Sequence, residues 1–356
     1  MRYILEKLFN SLWYDKKYTW LGVLLMPLSV FYQYFSQRLW RKKSVERNQA
    51  LPVPIVVVGN LVVGGSGKTP VTQALALALQ TRGFQVGIVS RGYGGTVVQA
   101  KLVDINAPKQ FGDEPCLLAK TTQAPIAVAR HRRDAVLLLC KPGITKYTVD
   151  IILSDDGMQH AGLHRDFELC VIGKRGLGNQ RCLPSGPLRE SIKRLNTVNA
   201  IVSWQEQLPH MQLPHLSNTV PCWLISGEHA PLQLLNGDIA PEKTLHGLAD
   251  IQAQQKIPIE VAAGLAQPDS FYTSLSVAGM QFKTLPIADH AGLTATQLMN
   301  VSPQALLVVT EKDAIKLRVN TNVPDNLVAR IRVVPWRVQL PTELVDSIAN
   351  LVLKKV

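Results

Sequence analysis

A glycine-rich segment, GNLVVGGSGKTP at residues 59–70, follows the apolar run PIVVV and precedes a stretch with helical periodicity. A strand that leads through glycines into a helix points backbone N–H groups, and the positive end of the helix dipole, toward one place. Lysine and threonine at the junction add an ammonium and a hydroxyl group, which suit phosphate and Mg²⁺. The segment therefore predicts a phosphate-binding loop formed by Gly64, Gly65, Ser66, Gly67, Lys68, Thr69 and Pro70.

The loop departs from two known patterns. Val62 stands where G-x-x-x-x-G-K-[ST] has its first glycine, so a purely structural glycine-rich turn is the alternative interpretation. Val63 stands where K-G-G-x-G-K-T has a lysine, a residue that dimerising ATPases use when they recruit partners to membranes. The valine disfavours a membrane-recruited ATPase that acts as a nucleotide switch, which we keep as the alternative function.

Apolar β-branched runs alternate with helical patterns between residues 53 and 204. This alternation predicts an α/β fold, with a parallel sheet of the P-loop NTPase type covered by helices on both faces. A segment rich in Pro and His then interrupts the pattern, and later apolar runs predict a second, smaller α/β domain. We expect an N-terminal helical segment at residues 1–48, a P-loop core domain at 49–204 and the smaller domain at 205–356, with a C-terminal helix that can return to the core.

The N-terminal segment contains 20 consecutive uncharged residues, 18–37, with aromatic residues toward both ends. As a helix this stretch would cover about 30 Å, the thickness of a bilayer core. Basic residues follow it and favour the cytoplasmic side: Arg38, Arg41, Lys42, Lys43 and Arg47. The pattern predicts membrane association; a spanning helix, an interfacial helix and a buried helix all stay open.

The formal net charge of +12 favours an anionic partner such as lipid headgroups or a phosphorylated substrate. We expect no nucleic acid, because the chain has no module of interleaved aromatic and basic residues. The five cysteines are scattered without any C-x-x-C pair, which indicates reduced thiols in the cytoplasm and neither a zinc site nor a disulfide framework.

Two acidic segments are candidates for phosphoryl-transfer chemistry. The strand VDIILSDD ends in Asp155 and Asp156, where P-loop enzymes hold Mg²⁺, although such aspartates also serve as turn or cap residues. The segment FGDEP opens a helix, and its Asp113 and Glu114 also suit an N-cap and a first helical turn.

Polar and basic side chains near predicted strand ends lie on the face where α/β proteins bind ligands. The candidates for substrate contacts are Asn60, Arg91, Gln159, His160, Arg175 and Arg189. A guanine-nucleotide enzyme is disfavoured, since TEKD at residues 310–313 has its lysine next to the aspartate. We interpret Thr310 and Asp313 as a helix-capping box instead.

Seven motifs occur in a fixed order behind the N-terminal apolar helix: GNLVVGGSGKTP, SRGYGG, GDEP, SDDGMQH, PSGPLRE, ADH and TEKDAIK. Together they resemble the tetraacyldisaccharide 4'-kinase family from about residue 10 to about residue 320. The resemblance implies a kinase at the cytoplasmic face of the inner membrane of Gram-negative bacteria. With ATP and Mg²⁺ it would phosphorylate the 4'-hydroxyl of the lipid A precursor disaccharide, in a cleft between two α/β domains.

The resemblance also implies roles for individual residues. Asp113 resembles the family's catalytic base, with His290 as its partner and Lys68 on the phosphates. Thr69, Glu114, Asp155 and Asp156 are the metal candidates. Ala291 departs from the family, whose members often have a second histidine there. The oligomeric state is not indicated by the sequence.

Overall fold

The computed structural model describes residues 9–15, 19–44, 51–146, 148–205, 219–265, 267–287 and 291–354. They form two compact units that are discontinuous in sequence. The first unit comprises Met1–Arg91, His131–Ser226 and Gln339–Val356, and the second comprises Gly92–Arg130 and Gly227–Val338. Gly92–Arg130 thus groups with the C-terminal half of the chain, whereas a linear division at residue 204 assigns it to the core domain.

The strands are β1 (Ile55–Gly59), β2 (Val86–Ser90), β3 (Lys101–Leu102), β4 (Ile126–Val128), β5 (Ile151–Asp155), β6 (Phe167–Ile172), β7 (Ala200–Ser203), β8 (Cys222–Leu224), β9 (Ser226–His229), β10 (Ile259–Ala262), β11 (Lys283–Leu285), β12 (Leu306–Thr310), β13 (Ile331–Val334) and β14 (Trp336–Gln339). The helices are α1 (Thr19–Leu24), α2 (Met26–Ser44), α3 (Lys68–Thr81), α4 (Pro108–Phe111), α5 (Asp113–Thr122), α6 (Arg132–Cys140), α7 (Leu245–Gln255), α8 (Asp269–Val277), α9 (Ala295–Met299), α10 (Glu311–Arg318), α11 (Asp325–Val328) and α12 (Thr342–Leu353). A 3₁₀ helix spans Ile192–Thr197.

The first unit is built on six parallel strands in the order β2-β5-β1-β6-β7-β8. Every residue of β1, β2, β5 and β6 is buried, which explains their nearly continuous apolar sequences. Helix α3 packs against β1 and β5, α6 packs against β2, and the C-terminal helix α12 packs against α3. The predicted α/β fold with a parallel sheet is confirmed.

The N-terminal helices α1 and α2 contact the rest of the first unit through hydrogen bonds. The Ser185 hydroxyl donates to the carbonyl of Gly22 at 2.6 Å, and the Ser29 hydroxyl donates to the carbonyl of Cys182 at 3.0 Å. The Tyr32 hydroxyl donates to the carbonyl of Arg189 at 3.1 Å. The segment at residues 182–189 is therefore held directly by α1 and α2.

Other side chains of α1 and α2 are exposed although they are large and apolar. Trp20 is 67% exposed and Phe31 is 64% exposed, and the group also includes Val23, Leu24, Leu28, Val30, Tyr34, Phe35 and Leu39. Within the described ranges, no helix has both the length and the apolar character required to cross a membrane. The exposed side chains form an apolar face, which we call the α1/α2 face.

The second unit contains a four-stranded parallel sheet in the order β11-β10-β12-β13 and the antiparallel pair β3-β4. Helix α10 follows β12 and packs against α5, with Ile315 in a buried cluster with Phe111, Cys116 and Val128. The predicted capping box is confirmed in part: the Thr310 side chain accepts from the backbone N–H of Asp313 and caps α10, but the Asp313 carboxylate accepts from the Thr310 hydroxyl instead of closing the box at the Thr310 N–H. The Asp313 carboxylate bonds the Thr310 hydroxyl and the N–H of Gly264, which ties the start of α10 to the end of β10.

Candidate active site

The glycine-rich loop connects β1 to α3, as predicted, and Lys68 is the first residue of the helix. Gly64 has φ 100° and Gly67 has φ 76°, a left-handed backbone that side chains disfavour. A Cβ atom at Gly67 would also lie only 2.7 Å from Nε1 of Trp204. Glycine is thus required at this position, and the loop opens onto the N-terminal end of a 14-residue helix.

Asp155 connects the end of β5 to the first turn of α3. Its carboxylate accepts hydrogen bonds from the hydroxyls of Thr69 at 3.4 Å and Thr72 at 3.0 Å, and the residue is buried. The side chain therefore contacts the loop helix directly. Thr72, which the sequence analysis did not select, shares the face of α3 that carries Thr69.

Asp156 lies one residue beyond the strand, in a left-handed conformation with φ 49°. Its carboxylate is 3.5 Å from the Lys68 ammonium and 3.4 Å from the Arg189 guanidinium. Burial raises the pKa of Asp156, but Lys68, Arg189 and Arg132 together outweigh it and hold the pKa below its usual value. This aspartate therefore stays ionised at neutral pH.

Arg132, at the start of α6, fixes the backbone of both aspartates. Its guanidinium donates to the carbonyls of Asp155 and Asp156, each at 2.8 Å. Burial lowers its pKa to about 10, so it remains a cation at neutral pH. Arg132 belongs to the basic run HRR at residues 131–133, which follows a predicted strand end, but it is not among the predicted site residues.

Three of the predicted substrate-contacting residues lie together beside Asp156. The Gln159 amide donates to the carbonyl of Asn60 at 2.9 Å and to the Glu190 carboxylate at 2.9 Å. Arg189 donates to the Gln159 side-chain oxygen at 3.1 Å. This network orients the Arg189 guanidinium beside the loop, and Glu190 is a further member that the sequence analysis did not select.

The other three predicted substrate contacts also belong to the first unit. Arg91 follows β2 and is exposed, and the carbonyl of His160 accepts from Arg165 at 2.6 Å. The guanidinium of Arg175 stacks over the ring of Tyr14 at 3.6 Å, and it also bonds Asn10. The structure therefore gives Arg175 a contact with the N-terminal segment, and its role toward substrate stays a prediction.

Asp113 and Glu114 begin α5 in the second unit. The N-cap interpretation of Asp113 is wrong, because the cap is Gly112 and no side chain caps this helix. The Asp113 carboxylate instead lies 3.1 Å from the Lys316 ammonium, and the Glu114 carboxylate lies 3.1 Å from the Lys312 ammonium. The sequence analysis missed both lysines. His290, the predicted partner of Asp113, lies outside the described residues.

The donors at the loop are of the type that Mg²⁺ prefers. Thr69, Asp155 and Asp156 offer a hydroxyl and two carboxylates next to one another, and hard oxygen ligands suit this cation. Within the described ranges, no group of three or more His, Cys, Asp or Glu side chains is arranged to hold a metal alone. That result fits a cation held by one or two carboxylates together with substrate phosphates.

Comparison with known proteins identifies a family. The profile described as Tetraacyldisaccharide-1-P 4'-kinase, LpxK, matches residues 21–353. The chain is 36% identical over 359 residues to a tetraacyldisaccharide 4'-kinase of Herminiimonas arsenicoxydans, covering 98% of this chain and 96% of the relative. It is 38% identical over 311 residues to that of Pasteurella multocida, covering 85% and 88%.

A solved structure agrees with this result. LpxK from Aquifex aeolicus, determined in complex with ATP, is similar to this chain with a TM-score of 0.72 and 25% sequence identity. The similarity covers 94% of this chain and 99% of that one.

Proposed function

Because the chain belongs to the tetraacyldisaccharide 4'-kinase family and is thus an ATP-dependent kinase of lipid A biosynthesis, we propose that its loop at residues 64–70 binds the ATP triphosphate. The observation that carries this proposal is the convergence of Lys68, Arg189 and the N-terminal end of α3 beside two acidic residues. Backbone N–H groups and the two cations would neutralise phosphate charge.

Mg²⁺ is the second part of the proposal. Thr69, Asp155 and Asp156 would hold the cation, and Glu114 is a further candidate ligand. When bound, Mg²⁺ neutralises charge on the phosphate oxygens. Arg132 supports this arrangement by holding the carbonyls of both aspartates, so that their carboxylates keep a fixed direction.

The transfer itself needs a base for a sugar hydroxyl. The 4'-oxygen of the acceptor would form a bond to the γ-phosphorus while the bond from that phosphorus to the β–γ bridging oxygen breaks, so that ADP leaves. The hydroxyl proton would pass to the Asp113 carboxylate, with His290 as its partner. Asn60, Arg91, Gln159, His160, Arg175 and Arg189 are the proposed contacts for substrate.

We also place the enzyme at the cytoplasmic face of the inner membrane. The α1/α2 face exposes large apolar side chains, and the basic residues Arg38, Arg41 and Lys42 follow on the same helix. Apolar side chains partition into the interface, and basic residues are attracted to anionic headgroups. Such attachment brings the active site to an acceptor that is itself a lipid.

The test of this function is transfer of label. Purified protein is incubated with γ-labelled ATP, Mg²⁺ and the tetraacyldisaccharide 1-phosphate, and label is measured in the lipid fraction. Label at the 4'-position, lost when Mg²⁺ is chelated, supports the proposal. ATP hydrolysis that proceeds equally without the lipid acceptor would instead indicate the nucleotide-switch alternative.

A further inference from the structure

Helix α10 presents two lysines to the two acidic residues that begin α5. Lys312 and Lys316 are four residues apart and therefore lie on one face of the helix. On α5, Asp113 and Cys116 are three residues apart and also share a face. Ile315 and Cys116 belong to the same buried cluster. Helices α5 and α10 thus pack through apolar side chains at the centre of their contact and through acidic and basic side chains at its edge.

Lys316 makes two contacts that join separate parts of the second unit. Its ammonium lies 3.1 Å from an Asp113 carboxylate oxygen and donates to the carbonyl of Ala291 at 3.0 Å. The side chains of Lys316 and Asp113 are 19% and 8% exposed, so solvent screens this pair weakly. Lys316 therefore holds the proposed base and the residue immediately after His290 in one arrangement.

Lys312 acts on the neighbouring carboxylate. Its ammonium donates to Glu114 at 3.1 Å and lies 3.8 Å from Asp113, and its side chain is 13% exposed. The backbone of α10 that carries both lysines is anchored by Asp313, which lies between them in the sequence. The Asp313 carboxylate accepts hydrogen bonds from the Thr310 hydroxyl and from the N–H of Gly264. An ion pair whose lysine is largely buried on an anchored helix restricts the rotamers of the lysine and of its carboxylate partner.

We propose that Lys316 is a positioning residue of the kinase reaction, which fixes the Asp113 carboxylate relative to the backbone carbonyl of Ala291. Lys312 orients the neighbouring Glu114 carboxylate. Removing the Lys316 ammonium frees the carboxylate to adopt other rotamers, and loss of a reacting geometry is costly in rate. Lys316 contacts Asp113 and Ala291 within the second unit, so we expect its removal to lower kcat and to change nucleotide binding little.

The first experiment compares Lys316→Met, Lys316→Arg and Lys312→Met with the control Lys283→Met, which alters an exposed lysine of β11. We expect Lys316→Met to lower kcat about 10- to 100-fold, the range typical when an orienting partner is lost, with KM for ATP changed less than about 3-fold. Lys316→Arg should recover most of the loss, since a guanidinium can reach both oxygens. Lys316→Gln replaces Lys316→Met if that variant does not fold. A wild-type kcat in Lys316→Met, or in Lys316→Gln where that variant replaces it, overturns the proposal.

A double-mutant cycle with Asp113→Asn separates this inference from the proposed function on which it rests. If Lys316 acts through Asp113, Lys316→Met has little further effect on single-turnover rates in the Asp113→Asn background. An equal loss in both backgrounds refutes the positioning role of Lys316 and leaves Asp113 as the base. A wild-type rate for Asp113→Asn alone refutes the base instead.

Discussion

Lys68 is the first residue of α3, directly before Thr69, and its ammonium lies 3.5 Å from the Asp156 carboxylate. Truncation to Lys68→Ala should lower kcat about 100- to 1,000-fold, as is typical when one preorganised charge is removed from the transferring group. Thr69→Ala should have a comparable effect through the proposed Mg²⁺ site. Turnover of labelled lipid measures both, with Lys101→Ala on the exposed strand β3 as the control. Near-normal turnover of Lys68→Ala would show that the loop is structural.

Glu168 is a buried carboxylate on β6, bound by Arg165 and by Arg194 at 2.6 Å. Replacement by Gln leaves the buried Arg165 guanidinium without its anion and leaves Arg194 with Glu190 alone, and we expect a loss of about 3–5 kcal/mol in the free energy of unfolding. Denaturant unfolding measures this loss. Glu343→Gln, at an exposed position in the first turn of α12, should cost less than about 1 kcal/mol.

Wild type and Glu168→Gln also test how the free energy of unfolding depends on pH. Burial raises the pKa of Glu168, but Arg165 and Arg194 outweigh it and hold the pKa below the ordinary value of 4.5. The stabilisation from the ionised carboxylate is thus complete above pH 4.5 and is lost as the pH falls through the lower folded-state pKa. The difference between wild type and Glu168→Gln should shrink in that acidic range. A difference in the free energy of unfolding that stays constant down to strongly acidic pH would contradict the lowered pKa of Glu168.

At the scale of elements, α1 and α2 have two different faces. The triple variant Trp20→Gln, Phe31→Gln and Phe35→Gln removes apolar area from the α1/α2 face alone. The fraction of protein that cosediments with membranes should therefore fall, while the melting temperature stays near the wild-type value. Ser29→Ala, on the side of α2 that contacts residues 182–189, is the matched control. It loses the hydrogen bonds to the carbonyl of Cys182 and from the N–H of Ser185, and it should cost about 1–3 kcal/mol of stability without changing cosedimentation with membranes. Sedimentation of the triple variant equal to wild type, at low and high salt, would contradict membrane attachment through this face.

Elements whose signal is local could be predicted from the sequence, and pairings between distant segments could not. The apolar runs of β1 and β5 and the glycines before Lys68 identify strands and loop, because burial on both faces and left-handed backbone each impose a local composition. The Asp113–Lys316 pair has no such signal, since it depends on how α5 packs against α10. The contact of Arg175 with Tyr14 could not be predicted either, because a basic residue after a strand gives the same sequence pattern whether or not it also stacks on an aromatic ring.

At the scale of the molecule, the discontinuous second unit depends on contacts between segments far apart in the chain. Ile315 is 2% exposed in the cluster with Phe111, Cys116 and Val128. Ile315→Ala should cost about 2–5 kcal/mol, as for other buried large-to-small substitutions. Hydrogen exchange should then increase in α5 and α10 together, and Leu353→Ala, at an exposed position, is the control. Faster exchange in α10 alone would show that the two helices open independently.

The joining of Gly92–Arg130 to Gly227–Val338 has a consequence for synthesis on the ribosome. Cys116 leaves the ribosome well before Ile315, its partner in the buried cluster, which is about 200 residues further along the chain. At roughly 5–20 residues per second, the nascent segment waits about 10–40 s for that partner. During this interval the apolar side chains of α5 have no α10 to cover them, and the nascent chain is then a substrate for chaperones that bind exposed apolar segments.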